Sequence, residues 1–371
     1  MTALAPTCLT PPVSSVTPLS AGTEVSPARV RITNPLEDPA WDDLVMSHPD
    51  YNCFSGSAWV RVLCDTYGHR PCYLVARDAK RLAGMLPVME VKSWLTGTRG
   101  VSLPFTDECP PLTSDSVPTG TLLAQLTEYG QGRGWKYWEC RGVRDLPPGT
   151  PVARTYYGHV LDLSVGEARL FDRFKTTVRT AIRKAEQAGV QVETSRTWDA
   201  LRTFYALHCQ TRRKHGLPPQ PLRFFRKIHE HVLARNLGTV VIARHQQRPI
   251  AAAVFFRLGA KAIYKYGASD ESAQDLRGNN LVMWHAIQWY ARGGCDSFHF
   301  GRTDAGADGL RRFKLGWGAR EEVIPYAKFD CRAGAFVTEA EEPPDWKNAV
   351  LKRLPVFLLR ALGELLYRHV A

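Results

Sequence analysis

The chain has 371 residues, enough for two domains or for one domain with a repeated core. Its 44% apolar and 23% charged content is ordinary for a soluble globular protein, and no apolar run reaches the roughly 18 residues that span a bilayer. The net charge of +12 favours an anionic partner, whether nucleic acid, a phosphate-bearing substrate or a membrane surface, without choosing among them. Nine cysteines are scattered with no Cys-x-x-Cys pair. This excludes a disulfide framework, points to a reducing compartment and, with no histidine at ligand spacing, implies no metal.

Residues 1–28 are rich in Pro, Ser and Thr and lack the charged start of a secretory signal, so they are expected to be a disordered leader. A strand over 30–33 and helices around 38–47 and 57–67 follow. Residues 72–77 and 82–91, with a polar turn at 78–80, read as a β-hairpin. Residues 94–102 read as a loop and 103–111 as irregular, proline-punctuated chain. A helix over 120–133 and strands over 136–141 and 155–163 complete the first half.

The second half opens with the clearest periodic pattern. Phe171, Phe174, Val178, Ile182 and Ala185 recur at three- and four-residue steps, predicting one helix over 166–188. Lys175, Arg179 and Arg183 then line a second face, which suits RNA or a diphosphate, or is simply solvated. A strand (190–193), helices (198–215, 221–236), three strands (239–244, 250–257, 262–267), a helix (279–293) and strands at 297–300 and 321–328 complete the pattern. Tyr264 and Tyr266 alternate with Ile263 and Lys265, so one face of that strand is core and the other faces a cleft.

The halves echo each other. Tyr73-Leu-Val-Ala-Arg matches Val240-Val-Ile-Ala-Arg, and Gly134-Trp-Lys-Tyr-Trp matches Gly294-Cys-Asp-Ser-Phe. This predicts two related α+β domains, at 29–165 and 166–332. A linker at 341–345 leads to a basic, apolar-striped helical tail within 341–371, interrupted at Pro355. It suits either anchorage on an anionic membrane or packing onto the second domain.

Residues 298–320 carry the densest chemical signals. An apolar strand breaks at Gly301 into a turn with Arg302, Thr303 and Asp304. A brief helix (307–314) with Arg311, Arg312 and Lys314 then stops at Gly316-Trp317-Gly318. A charged turn leading into a short cationic helix suits an anionic group, although a solvated basic turn reads the same way. Asp304 and Asp107 follow apolar strands and suit either acceptance of a proton from an amine or local capping. Neither a Ser-His-Asp order nor a Walker-type loop is present, which argues against hydrolase and nucleotidase chemistry.

The run Thr177-Val-Arg-Thr-Ala-Ile-Arg-Lys-Ala-Glu-Gln-Ala-Gly-Val resembles the helix that opens the second domain of Fem-type peptidyltransferases, and 299–318 is similar to their closing Phe-Lys-x-Gly-x-Gly motif. Tyr67-Gly-His-Arg-Pro and Leu103-Pro-Phe-Thr-Asp resemble the FemAB-like proteins found with exosortase (PEP-CTERM) and exopolysaccharide systems. The resemblance covers roughly 30–330. It implies two tandem GNAT-like domains of the α+β class, and transfer of an acyl or aminoacyl group to an amine. The co-substrate is aminoacyl-tRNA or acyl-CoA, with no bound cofactor. Carried over by motif, Lys314 lies near the transferred carbonyl, Phe313 shapes that site, and Arg183 and Lys184 match a basic pair. The counterpart of the GNAT pyrophosphate loop is Gln274-Asp-Leu-Arg-Gly-Asn-Asn. This makes Arg277, Gly278 and Asn279 the candidate cofactor-binding residues, although the glycine comes one place late.

Acyl transfer to an amine needs positioning and positive charge where the oxyanion develops. Lys314 is the expected oxyanion donor, with Arg302 and Asp304 beside it. Arg179, Arg183, Lys184, Asp107, Phe313 and Tyr266 are expected to bind substrate. A lysine merely capping helix carbonyls is the rival reading of Lys314. The expectation is a cytoplasmic N-acyltransferase with its site between the domains. It would act on a cell-envelope or exopolysaccharide precursor, with peripheral membrane contact through the tail. The alternatives are an acyl-CoA-dependent N-acetyltransferase and a non-catalytic module binding an anionic glycan, lipid or RNA.

Overall fold

The computed structural model describes residues 29–78, 81–339 and 346–370. The expected leader, the linker at 341–345 and the tip of the 78–80 turn lie outside the described residues. The first half runs β1 (Arg31–Thr33), α1 (Trp41–Met46), α2 (Ser57–Tyr67), β2 (Arg70–Pro71), β3 (Tyr73–Asp78), β4 (Arg81–Leu86), β5 (Met89–Val91), β6 (Arg99–Val101), α3 (Thr119–Gly132), β7 (Tyr137–Arg141) and β8 (Arg154–Asp162). The predicted hairpin forms between β3 and β4. Its second arm stops at Leu86, ahead of Pro87, and the continuation crosses to another sheet as β5. The expected loop at 94–102 contains β6. Arg-Gly-Val has no alternation to announce a strand, and it pairs in parallel with β7.

The second half runs α4 (Glu167–Arg173), α5 (Thr176–Gln187), β9 (Gln191–Ser195), α6 (Trp198–Lys214), α7 (Leu222–His231), β10 (Gly238–His245), β11 (Arg248–Leu258), β12 (Lys261–Ser269), α8 (Gly278–Arg292), β13 (Ser297–His299), β14 (Thr303–Asp304), α9 (Asp308–Leu315), β15 (Arg320–Asp330) and β16 (Ala335–Phe336). The single helix expected over 166–188 is two helices. Phe174 and Lys175 take extended backbone angles, and the Lys175 amide donates to the Gly316 carbonyl at 2.8 Å. A tertiary hydrogen bond outweighs unbroken helical periodicity here, so Lys175 caps α5 and does not share a face with Arg179 and Arg183.

Each half repeats strand, crossover helix and parallel strand: β6–α3–β7 in the first, β12–α8–β13 in the second. The last strand of each half then crosses over. β8 pairs with β13 of the second half, β15 pairs with β7 of the first, and β8 and β15 pair with each other. One thirteen-stranded sheet thus runs through both halves. One apolar core gathers α2, α6 and α7 against one face of β10–β12. A second lies under α5 and α8 on the opposite face, and a third lies under α3.

The tail forms α10 (Trp346–Lys352) and α11 (Val356–Leu366). Leu359 is fully buried, and Gly363 meets the Pro219 carbonyl so closely that a Cβ would lie 2.0 Å from the oxygen. Tyr367 bonds to Arg212 and Pro218, and the buried His369 bonds to Ser93. The tail therefore docks on the body, while Phe357, Leu358, Leu365 and Val370 stay exposed. Among the described residues no helix is long and apolar enough to cross a membrane.

Candidate active site

The strand β13 pairs with β12 over only three residues, after which β12 continues to Ser269 without it. The two strands therefore part beside the turn 300–304. Gly301 has φ of +72°, a left-handed conformation that favours glycine. Its amide donates to His299 Nδ1 at 2.9 Å. From α9, Lys314 donates to the carbonyls of Gly301 and Arg302 at 2.8 and 2.9 Å and is only 3% exposed. Burial lowers its pKa to about 8 against the opposing pull of Asp107 and Asp304. An ammonium has three donors, so one N–H of Lys314 remains for a ligand.

A buried polar network surrounds this turn. Lys265 is the extra residue of a bulge in β12, where Val254 opposes Tyr266 and Phe255 opposes Tyr264. Lys265 donates to Asp107 at 2.7 Å, with both side chains largely buried. The Arg302 amide approaches the other Asp107 oxygen at 3.3 Å. Burial works against ionisation of Asp107, but Lys265 and Arg302 hold its carboxyl below the usual range. The Arg302 guanidinium lies over the Tyr156 ring at 4.3 Å and donates to the Tyr326 hydroxyl at 2.7 Å. That hydroxyl in turn donates to the Asp107 carbonyl at 2.7 Å. β8 and β15, the exchanged strands, supply the two tyrosines.

Two adjoining hollows lie on one side of this centre. A cavity of about 350 Å³ is lined by Ala252, Gly267, Arg277, Gly278, Asn279 and Phe313. An open groove next to it shares Arg277, Asn280 and Phe313 and adds Lys184 and Arg312. Arg277 has φ of +56° and caps α8. The first amides of a helix lack intrahelical acceptors, so the start of α8 offers its N–H groups and its dipole to an anion. A third cavity, of about 410 Å³, lies between the halves and contains Glu108, His299 and Glu322.

Residues 172–322 match the acetyltransferase (GNAT) domain family. The second half of this chain carries a GNAT acetyltransferase domain. A search of curated proteins by sequence finds no match. The fold resembles that of FemX, with a TM-score of 0.62, 14% identity, and coverage of 80% of this chain and 96% of that one. It also resembles the C-terminal domain of a putative lysylphosphatidylglycerol synthetase from Agrobacterium fabrum (TM-score 0.52, 14% identity, 79% and 91% coverage). A tandem GNAT protein from the clavulanic acid biosynthesis pathway is similar too (TM-score 0.51, 11% identity, 82% and 98% coverage). The architecture is the expected α+β tandem-GNAT fold, with the acetyltransferase domain match confined to residues 172–322.

Within this fold, Lys314, Arg302 and Asp107 meet at the turn after β13. Asp304 is exposed on the short bridge to Tyr156, within electrostatic reach of Lys314. Tyr266 packs against the first core with its hydroxyl lacking a hydrogen bond. Phe313, Lys184, Arg277, Gly278 and Asn279 converge on the hollows at α8. Two expected substrate contacts do not join them. Arg183 is exposed above the Phe171 ring, and Arg179 reaches back to Thr176. Helical rotation carries both away from the face that Lys184 presents.

Sequence reasoning missed Lys265, Tyr156, Tyr326, Glu108, His299 and Glu322 as site residues. The carboxylate pair at Asp107-Glu108 and the lysine between two tyrosines were the available signals. The bulge that turns Lys265 inward has no local signature.

Proposed function

We propose that this GNAT-type acyltransferase moves an acyl or aminoacyl group from a phosphate-bearing activated donor to an amine of a cell-envelope or exopolysaccharide precursor. The observation that carries the donor side is the hollow at the start of α8, where Arg277, Lys184 and Arg312 surround the first turn of the helix. Donor phosphates resting there would direct the activated carbonyl along β12 toward the turn held by Lys314. The neutral amine attacks that carbonyl carbon, the N–C bond forms, the C–O or C–S bond to the donor breaks, and the proton lost from nitrogen ends on the departing oxygen or sulfur. The remaining N–H of Lys314 then faces the developing oxyanion. The precursor assignment draws on the motif resemblance of Tyr67–Pro71 and Leu103–Asp107.

A melting comparison with acetyl-CoA, bulk aminoacyl-tRNA and deacylated tRNA tests this reading. A ligand at about a hundred times its Kd adds roughly 2.7 kcal/mol to the folded state. Either acyl donor should raise the melting temperature, and an Arg277→Ala, Lys184→Ala double substitution should remove most of the rise. Response to acetyl-CoA alone favours an acyl-CoA-dependent N-acetyltransferase, a reading to which the left-handed Arg277 cap before α8 lends weight. Response to neither donor refutes the assignment.

A membrane-linked acceptor accords with the outward face of α11. Phe357 and Leu365 are each 67% exposed, and Lys352, Arg353, Arg360 and Arg368 are exposed around them. An apolar face rimmed by cations suits an anionic bilayer surface. The chain should float with phosphatidylglycerol vesicles and not with phosphatidylcholine vesicles, and Phe357→Glu with Leu365→Glu should abolish flotation. Wild-type protein left at the bottom of the gradient with both vesicle types would rule out membrane contact.

A further inference from the structure

The cavity between the halves shares no lining residue with the hollows at α8, and three ionisable side chains converge in it. Glu108 comes from the irregular segment after β6, His299 from β13 and Glu322 from β15. Their ligand atoms all lie within 4.8 Å of one another. His299 Nε2 stands 3.6 Å from one Glu108 oxygen and 3.7 Å from one Glu322 oxygen, too far for direct hydrogen bonds. Glu108 is 8% exposed, and neither its Oε2 nor His299 Nε2 has a hydrogen-bond partner. The site is prepared for something that brings its own hydrogens or charge.

The tautomer of His299 discriminates between candidate ligands. The Gly301 amide donates to Nδ1 at 2.9 Å, so Nδ1 holds the lone pair and the ring proton of the neutral imidazole sits on Nε2. A metal ion needs the Nε2 lone pair. It would have to strip the ring of its last proton or break the Gly301 bond that shapes the turn at Lys314. An ammonium group requires neither, because its N–H bonds point at carboxylate oxygens. Burial raises the Glu108 carboxyl pKa, with His299 and Arg144 opposing the effect and Glu322 and Asp107 adding to it. A cation in the cavity relieves that cost.

The rim has the opposite charge. Arg144 lies 3.5 Å from Glu108 and 3.4 Å from Glu322, with its side chain 53% exposed. Arg320, more exposed still, is 3.7 Å from Glu322, and Lys261 also lines the cavity. A volume of about 410 Å³ admits a molecule of sugar or amino-acid size. Gly158 of β8 keeps the floor open, since a Cβ there would lie 3.0 Å from His299 Nε2 and 3.1 Å from Glu322 Cγ. Glu108 directly follows Asp107, and His299 is bonded to Gly301, so the cavity adjoins the turn that Lys314 holds.

We propose that this cavity seats the acceptor, with Glu108 and Glu322 binding its primary ammonium beside His299, Glu108 taking the proton that frees the amine for attack, and the rim cations binding an anionic group on the same molecule. The proposal rests on the acyl-transfer reading given above. Phosphoethanolamine is the small probe that carries both groups, and ethyl phosphate lacks the amine. Both are titrated into the full chain labelled with ¹⁵N-histidine, with the His299 ring signals identified by His299→Gln. Phosphoethanolamine should shift these signals and bind at least tenfold more tightly than ethyl phosphate.

Glu108→Gln should abolish that preference while leaving the melting shift caused by the acyl donor unchanged. Gly158→Ala, which crowds both His299 and Glu322 without removing either carboxylate, should weaken the preference as well. Equal binding of the two probes overturns the proposal, as does a preference that survives both Glu108→Gln and Glu322→Gln. Zinc chloride binding His299 more tightly than phosphoethanolamine also overturns it. An amine preference without any donor-induced melting shift would instead count against the donor reading alone.

Discussion

Lys314→Met lowers turnover by about a hundred- to a thousand-fold, the usual cost of losing one oxyanion donor. The substitution also leaves the Gly301 and Arg302 carbonyls without their donor, costing about 1–3 kcal/mol of stability. Rates should therefore be compared well below the melting temperature of the variant. The pH profile separates the two effects. Lys314 loses its proton at about 8 in the folded chain and near the ordinary 10.5 when unfolded. Wild-type turnover therefore acquires a descending limb near pH 8 that Lys314→Met lacks.

Stability responds in the opposite sense. Between those two values the unfolded chain binds more protons, so the Lys314 contribution to stability rises with pH while turnover falls. Below pH 8 both states are protonated, and the cost of burying the charge stays constant. Full turnover in Lys314→Met, or an identical descending limb in both proteins, would exclude Lys314 as the oxyanion donor.

Asp107→Ala destabilises the fold by about 3–5 kcal/mol, because it leaves the Lys265 ammonium buried without its carboxylate. The Tyr326 hydroxyl bonds to the Asp107 backbone carbonyl and survives the substitution, so the loss belongs mainly to the ion pair. The double variant Asp107→Leu, Lys265→Met removes both charges and should recover most of the stability. Urea denaturation of the single and double variants measures both. A single variant within 1 kcal/mol of wild type, or a double variant no better than the single, would mean that the pair contributes little.

Local chemistry made much of this arrangement readable before the structure. The strand, turn and short helix from Ser297 to Leu315 follow from an apolar run, a glycine and a cationic amphipathic stretch. They place Arg302 and Lys314 together because only 12 positions, one turn and one short helix, separate them. The start of α8 was similarly legible in the run from Gln274 to Asn280. What could not be read is non-local. The break at Phe174–Lys175 depends on a carbonyl some 140 residues away. β6 exists because β7 and β5 flank it, and no apolar alternation in Arg-Gly-Val announces it. Glu108, His299 and Glu322 stand far apart in the chain and meet only because β13 and β15 are both joined to β8.

The exchange of last strands has a consequence for how the molecule is made. β7 cannot acquire its antiparallel neighbour until β15 leaves the ribosome, roughly 190 residues later. At about 5–20 residues per second this is a wait of about 10–40 s. During that time β7 presents an open edge and the apolar surface that Ala327 and Phe329 will later cover. The nascent first half is thus the aggregation-prone species, and neither half should be recoverable as a well-behaved fragment when expressed alone. Co-expressed halves cut at 165/166 can still trade β8 and β15, so they should reassemble into the complete protein.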